Sequence, residues 1–128
     1  LAIGEKADYE NAKNALLEER FEDSLMLFDR FLENYPDSPL SASVVIAKGN
    51  AYEGLGEIKK AARAYLNSFS LFEDSPVAPE ALTLLGNALV SLGQTDAGCQ
   101  TLAQVLMRFP DSDFSLEAEK MMSELQCP

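Results

Sequence analysis

The chain has 128 residues, 47% of them hydrophobic, and carries 21 acidic against 10 basic side chains for a formal net charge of −11. That length and apolar fraction suit one domain with a continuous core, and a mean hydropathy of −0.08 with 7 Gly and 6 Pro excludes a disordered or collagen-like chain. Histidine is absent and there are two cysteines, which removes Ser-His-Asp and Cys-His catalytic units and the HExxH zinc site, so a non-catalytic protein is expected.

In chain order, the apolar spacing predicts helices near 5–18, 22–35, 40–54, 58–72, 78–91 and 95–108, then a last one near 114–126. Leu25, Phe28, Phe31, Leu32 and Tyr35 follow i, i+3, i+4 spacing, as do Ala61, Ala64, Tyr65, Ser68, Phe69 and Phe72. Gly56 and Gly93 stand where a helix takes a left-handed residue just past its end. The Asp-Ser-Pro segments supply an N-cap followed by a proline in the first turn.

The elements repeat. Tyr35-Pro36-Asp37-Ser38-Pro39 returns as Phe72-Glu73-Asp74-Ser75-Pro76 and again as Phe109-Pro110-Asp111-Ser112-Asp113, each step being 37 residues. The same offset aligns Gly49-Asn50-Ala51 with Gly86-Asn87-Ala88, the small residues Ser24, Ala61 and Gly98, and the large residues Phe28, Tyr65 and Leu102. Each unit is a helical hairpin that cannot bury its apolar stripe alone, so the hairpins stack. Residues 1–128 form one domain with repeats at about 5–39, 40–76 and 77–113, and the helix at 114–126 caps the third.

Several functions fall away on charge and spacing. Residues 65–128 hold only Arg108 and Lys120 against nine acids, the reverse of a phosphate-binding surface, so no nucleic-acid partner is expected. Apolar runs such as Val44–Ala47 are far too short to cross a bilayer. The chain has no starting Met and no signal peptide, which suggests a processed N-terminus. Asp111-Ser112-Asp113 lacks the Gly and Glu of a calcium loop and reads as a helix start. Glu18, Glu19, Glu22 and Asp23 surround a solvated turn beside Arg20, and Phe28, Phe31 and Tyr35 read as core. No metal or cofactor is expected.

The small–aromatic–small–large positions Gly49, Tyr52, Ala61 and Tyr65, with Ala12, Ala15, Ser24, Phe28 and Pro36 before them and Gly86, Leu89, Gly98, Leu102 and Pro110 after, resemble a tetratricopeptide (TPR) repeat. The 37-residue unit ending in Tyr-Pro-Asp-Ser is similar to the periplasmic bacterial branch. The nearest resemblance, from Tyr9 onward, is to the C-terminal TPR domain of the Tol–Pal-associated cell-division coordinators (the CpoB/YbgF family). It rests on Tyr9-x-x-Ala12, Asn34-Tyr35-Pro36-Asp37-Ser38, Ser75-Pro76-x-Ala78-Pro79, Leu92-Gly93-Gln94 and Cys99-x-Thr101-Leu102-Ala103-x-Val105.

This resemblance implies an all-α, right-handed superhelix of three hairpins plus a capping helix. It also implies a periplasmic protein–protein interaction module that coordinates outer-membrane constriction with septal peptidoglycan synthesis. The partners would be the periplasmic region of the Tol inner-membrane protein and a penicillin-binding synthase, with oligomerisation through a coiled coil that these 128 residues do not contain. Two alternatives are an outer-membrane-assembly TPR lipoprotein and the regulatory TPR domain of a larger envelope enzyme.

In such proteins the first helix of each hairpin lines a groove. The matching positions are Tyr9 and Lys13 in repeat 1, Ile46, Asn50 and Glu53 in repeat 2, and Thr83, Asn87 and Val90 in repeat 3. Asn50 and Asn87 either meet a peptide backbone, as donor and acceptor together, or bond a neighbouring helix. Cys99 and Cys127 lie 14 residues either side of Asp113, so two antiparallel helices turning there would set them side by side. Either they are bridged, as an oxidising periplasm permits, or Cys99 is a small core residue and Cys127 a terminal thiol.

Overall fold

A handful of side chains recurring every 37 residues decides where each helix begins and ends. In the computed structural model, which describes residues 2–128, the helices are α1 (Glu5–Leu17), α2 (Phe21–Asn34), α3 (Ser41–Gly54), α4 (Ile58–Leu71), α5 (Ala78–Ser91), α6 (Thr95–Arg108) and α7 (Asp113–Glu124), with no strand among the described residues. Gly56 and Gly93 take φ of 76° and 83°. The backbone N–H of Gly56 donates to the Glu53 carbonyl, and that of Glu57 to the Tyr52 carbonyl, both at 2.9 Å. Gly93 and Gln94 repeat the pair on Val90 and Leu89, so the last carbonyls of α3 and α5 are satisfied as the chain reverses.

The serines act one turn earlier than the sequence implies. Ser38, Ser75 and Ser112 each accept the N–H two residues on, from Leu40, Val77 and Phe114 at 3.0–3.2 Å. Only α7 starts directly after its serine. Ahead of α3 and α5 a separate turn intervenes, closed by Ser41 N–H to Ser38 O (3.1 Å) and Ala78 N–H to Ser75 O (3.0 Å). Pro39 and Pro76 occupy that turn, whereas Asp113 in the same register runs straight into helix. At its other end α7 stops two residues short of the expected 126, because Gln126 turns left-handed (φ 56°) and Cys127 N–H reaches back to Met122 O.

Close approach of the paired helices explains the small residues. A Cβ on Gly49 would lie 2.4 Å from Tyr65 Cε1, and one on Gly86 would lie 2.8 Å from Leu102 Cδ2. A Cβ on Gly98 would meet Val90 Cγ2 at 2.5 Å and the Gly86 carbonyl at 3.0 Å. The large residues at the shared position, Phe28, Tyr65 and Leu102, are all wholly buried.

The core has two parts. Ala12, Phe28, Phe31, Val44 and Ala47 fill the first hairpin and its junction with α3. A larger cluster runs from Ile46 through Tyr65, Phe69, Leu82, Leu85, Leu102 and Val105 to Ala118. Helix α7 joins it through Ala118, Met121, Met122 and Leu125, while Glu117, Glu119 and Lys120 face water. A disulfide joins Cys99 on α6 to Cys127 just past α7, with Cα atoms 5.6 Å apart, so the bridged alternative is the one the fold adopts.

First helices also meet each other: α1 packs on α3, and α5 on α7, while no two second helices pack to a comparable extent. First helices thus meet at the first and last junctions of the stack, and the groove lies on their side.

Candidate functional site

Three first helices contribute to one cleft of about 200 Å³, with Tyr9, Lys13 and Leu16 from α1, Ser43, Ile46, Ala47 and Asn50 from α3, and Glu80 from α5. The 3.6-residue period sets this composition, since positions 9, 13 and 16 of α1 share one stripe and 43, 46, 47 and 50 share the matching stripe of α3. Tyr9 is held by the Phe31 ring, with centroids 6.0 Å apart, and the Lys13 ammonium lies 5.3 Å from the Tyr9 centroid. Lys13 is exposed. One wall thus presents an aromatic face with a cation over it.

The opposite wall is acidic. Glu80 on α5 is half-buried, and burial first, then the nearby Glu117 carboxylate of α7, raises its pKa, with Lys13 pulling the other way. At the centre, the Tyr65 hydroxyl of α4 donates to Asn50 Oδ1 at 2.8 Å. Burial pushes the Tyr65 pKa far up, and the negative charges of Glu53 and then Glu80 add to it, so this phenol keeps its proton. The groove runs from a cation at Lys13 to the Glu80 carboxylate, with the charge of Glu117 close behind it.

The eight expected groove residues separate into distinct groups. Tyr9, Lys13, Ile46 and Asn50 come together in the cleft, although Ile46 is only 4% exposed and forms its floor. Asn50 bonds a neighbouring helix through its Oδ1, the second of the two roles open to it. Asn87 occupies the same register position and is exposed. Its repeat has Leu102 where Tyr65 stands, so no hydroxyl engages it. Glu53 sits beside Tyr65.

Thr83 and Val90 serve the fold. Thr83 is 2% exposed and its hydroxyl donates to the Pro79 carbonyl of its own helix at 2.8 Å. Val90 packs where a Cβ on Gly98 would fall. Thr83 is thereby closed off from a partner. Leu16, Ser43, Ala47 and Glu80 line the cleft outside the expected set, and the charged one among them is Glu80. Its signal was in the register, because position 80 corresponds to Ser43 in repeat 2 and to Glu117 in the capping helix.

The tetratricopeptide repeat family profile matches residues 80–112, the span of the third hairpin. No curated protein matches the chain. No helix among the described residues is long and apolar enough to cross a membrane. Seven helices in hairpin order among the described residues, a 37-residue register and the profile match on the third hairpin make this an all-α, TPR-like helical-repeat fold.

Proposed function

We propose that this chain is the periplasmic protein–protein interaction module of a Tol–Pal system, binding a partner segment along the groove of α1, α3 and α5. TPR repeats are protein-interaction scaffolds, which supports the general role. The finer assignment draws support from the 37-residue unit ending in Tyr35-Pro36-Asp37-Ser38 and from the Cys99-containing last repeat. The disulfide agrees with an oxidising compartment. The observation that carries the binding mode is the cleft itself, where a stacked cation and aromatic at Lys13 and Tyr9 oppose the Glu80 carboxylate across apolar Ile46 and Ala47. That arrangement orients a chain by its charges and holds it by apolar contact, and a role without catalysis agrees with the absence of histidine.

The partners in this reading are the soluble periplasmic region of the Tol inner-membrane protein and a penicillin-binding synthase. Calorimetric titration of the chain with the first of these tests it. A Lys13→Ala/Asn87→Ala variant runs in parallel, because both side chains are exposed and neither holds the core together. Saturable binding that the variant weakens by about 1 kcal/mol or more, the scale of a lost polar contact, is expected. Undiminished binding would move the site off the groove, and no binding would remove the Tol assignment.

A further inference from the structure

On the face of α3 opposite the groove, a second cleft of about 240 Å³ lies between α3 and α4, and its polar lining is cationic: Lys48 from α3, Lys60 and Arg63 from α4, with Tyr52 and Asn67 completing it. In a chain of net charge −11, α4 carries Lys59, Lys60 and Arg63 and no acid, whereas every other helix has at least one. The cleft's shape is a general feature of the repeat, because the same register in repeat 1 forms one of equal size lined by Asp8, Asn11 and Arg30. Its charge is particular to repeat 2. Lys59 stands where the other second helices have Glu22 and Asp96, Lys60 where they have Asp23 and Ala97, and Lys48 where the other first helices have Asn11 and Leu85.

This placement works against the fold. Lys59 and Lys60 lie in the first turn of α4, which holds no acid, so they face the positive end of the helix dipole and each other. The equivalent turns of α2 and α6 are acidic, with Glu22 and Asp23 in one and Asp96 in the other. Intramolecular pairing accounts for only part of the charge. Lys48 meets Asp29 at 2.6 Å, Lys60 reaches Glu57 at 3.5 Å, and among the described residues Arg63 has no carboxylate within 4.0 Å. The Lys60 ammonium also lies 5.8 Å from the Tyr52 ring centroid, which sets an aromatic surface beside the cations. The pairs with Asp29 and with Glu57, the residue just before α4, return part of that cost, whereas Lys59 and Arg63 have no carboxylate within 4.0 Å among the described residues, and local rules broken in this way mark a functional surface.

We infer that this cleft docks an acidic segment of a partner protein, its carboxylates on Lys60 and Arg63 and its neighbouring apolar side chain against Tyr52. Charge complementarity selects that occupant, since a chain of net charge −11 repels carboxylates in general while this cleft gathers three cations, of which Arg63 has no carboxylate partner among the described residues. The site is independent of the groove, and either can exist without the other.

The probe is the acetylated, amidated hexapeptide Glu-Leu-Glu-Glu-Leu-Glu, followed by amide shift changes at low salt. The same peptide with Lys in place of Glu, and inorganic phosphate, serve as controls. Saturating shifts at Lys48, Tyr52, Lys60, Arg63 and Asn67 are expected, fading as salt is raised, with none from the Lys peptide. K60E/R63E should weaken binding by about tenfold or more, as expected for inverted charge at a steered contact. K59E/K60E should weaken binding while raising Tm, which separates loss of the site from loss of the fold. Shifts centred elsewhere, binding indifferent to either variant, a lower Tm in K59E/K60E, or phosphate producing the same shifts at equal concentration would each overturn the proposal.

Discussion

Glu19 stands in the register position of Gly56 and Gly93 and takes their left-handed backbone, φ 60°, with the same two return hydrogen bonds from Glu19 and Arg20 to Leu16 and Ala15. A side chain there is strained where glycine is not. Glu19→Gly should therefore raise stability by about 0.5–1 kcal/mol in urea unfolding. Gly49→Ala should cost about 1–3 kcal/mol, because the new Cβ would press into the Tyr65 ring. At Glu80 the folded state binds a proton more tightly than the unfolded chain does. Its favourable contribution is therefore present below the ordinary carboxylate value of 4.5 and lost as pH rises through the raised folded value. Glu80→Gln should raise Tm at pH 7, and thermal melts should show that gain disappearing below pH 4.5. The Asn50–Tyr65 bond was within reach of sequence reasoning, because a buried tyrosine at the large core position needs a hydrogen-bond partner. Periodicity treats Phe28, Tyr65 and Leu102 as equivalent volumes and so passes over the one hydroxyl among them.

Among the helices, α5 and α6 fall on the residues that the apolar spacing and Gly93 indicate, 78–91 and 95–108. The discrepancies lie where backbone hydrogen bonds, and not hydrophobicity, decide the boundary. Those include the serine–proline turn ahead of α3 and the left-handed Gln126 that ends α7. Antiparallel packing of α6 and α7 was legible from Cys99 and Cys127, each 14 residues from Asp113, and the two are bonded. Cross-linking positions 28 apart closes a loop whose entropy in the unfolded chain is worth about 3–4 kcal/mol in the chain-entropy model. Cys99→Ser/Cys127→Ser should lose about 2–4 kcal/mol of stability in chemical unfolding while leaving the helical circular dichroism unchanged. A loss near zero would mean that α7 docks through Ala118, Met121 and Met122 alone.

For the whole molecule, stability should be graded along the stack. The large cluster joining α4, α5, α6 and α7 is closed at its far end by the disulfide, whereas α1 and α2 rest on the smaller cluster around Phe28 and Phe31. In a repeat array each hairpin is held by its neighbours, and the hairpin of α1 and α2 shares only the smaller cluster with α3. Native-state hydrogen exchange should therefore open α1 at a lower free energy than α4 or α6. The groove spans both regions, with Tyr9 and Lys13 on the less stable hairpin and Glu80 on the more stable one. Partner binding should then raise protection in α1 most of all. Which first-helix positions share a face was readable from the 37-residue register. The burial of Thr83 needed the packing of α5 against its neighbouring helices, which no single-helix pattern contains.

A protein partner lying along the first helices would show itself in amide shift mapping of the labelled chain with the soluble periplasmic region of the Tol inner-membrane protein. The perturbed amides should cluster at Lys13, Ser43, Asn50, Glu80 and Asn87, and Glu80→Gln and Lys13→Ala should shrink the set. Perturbations confined to the outer faces of α2, α4 and α6, with these five unmoved, would contradict it.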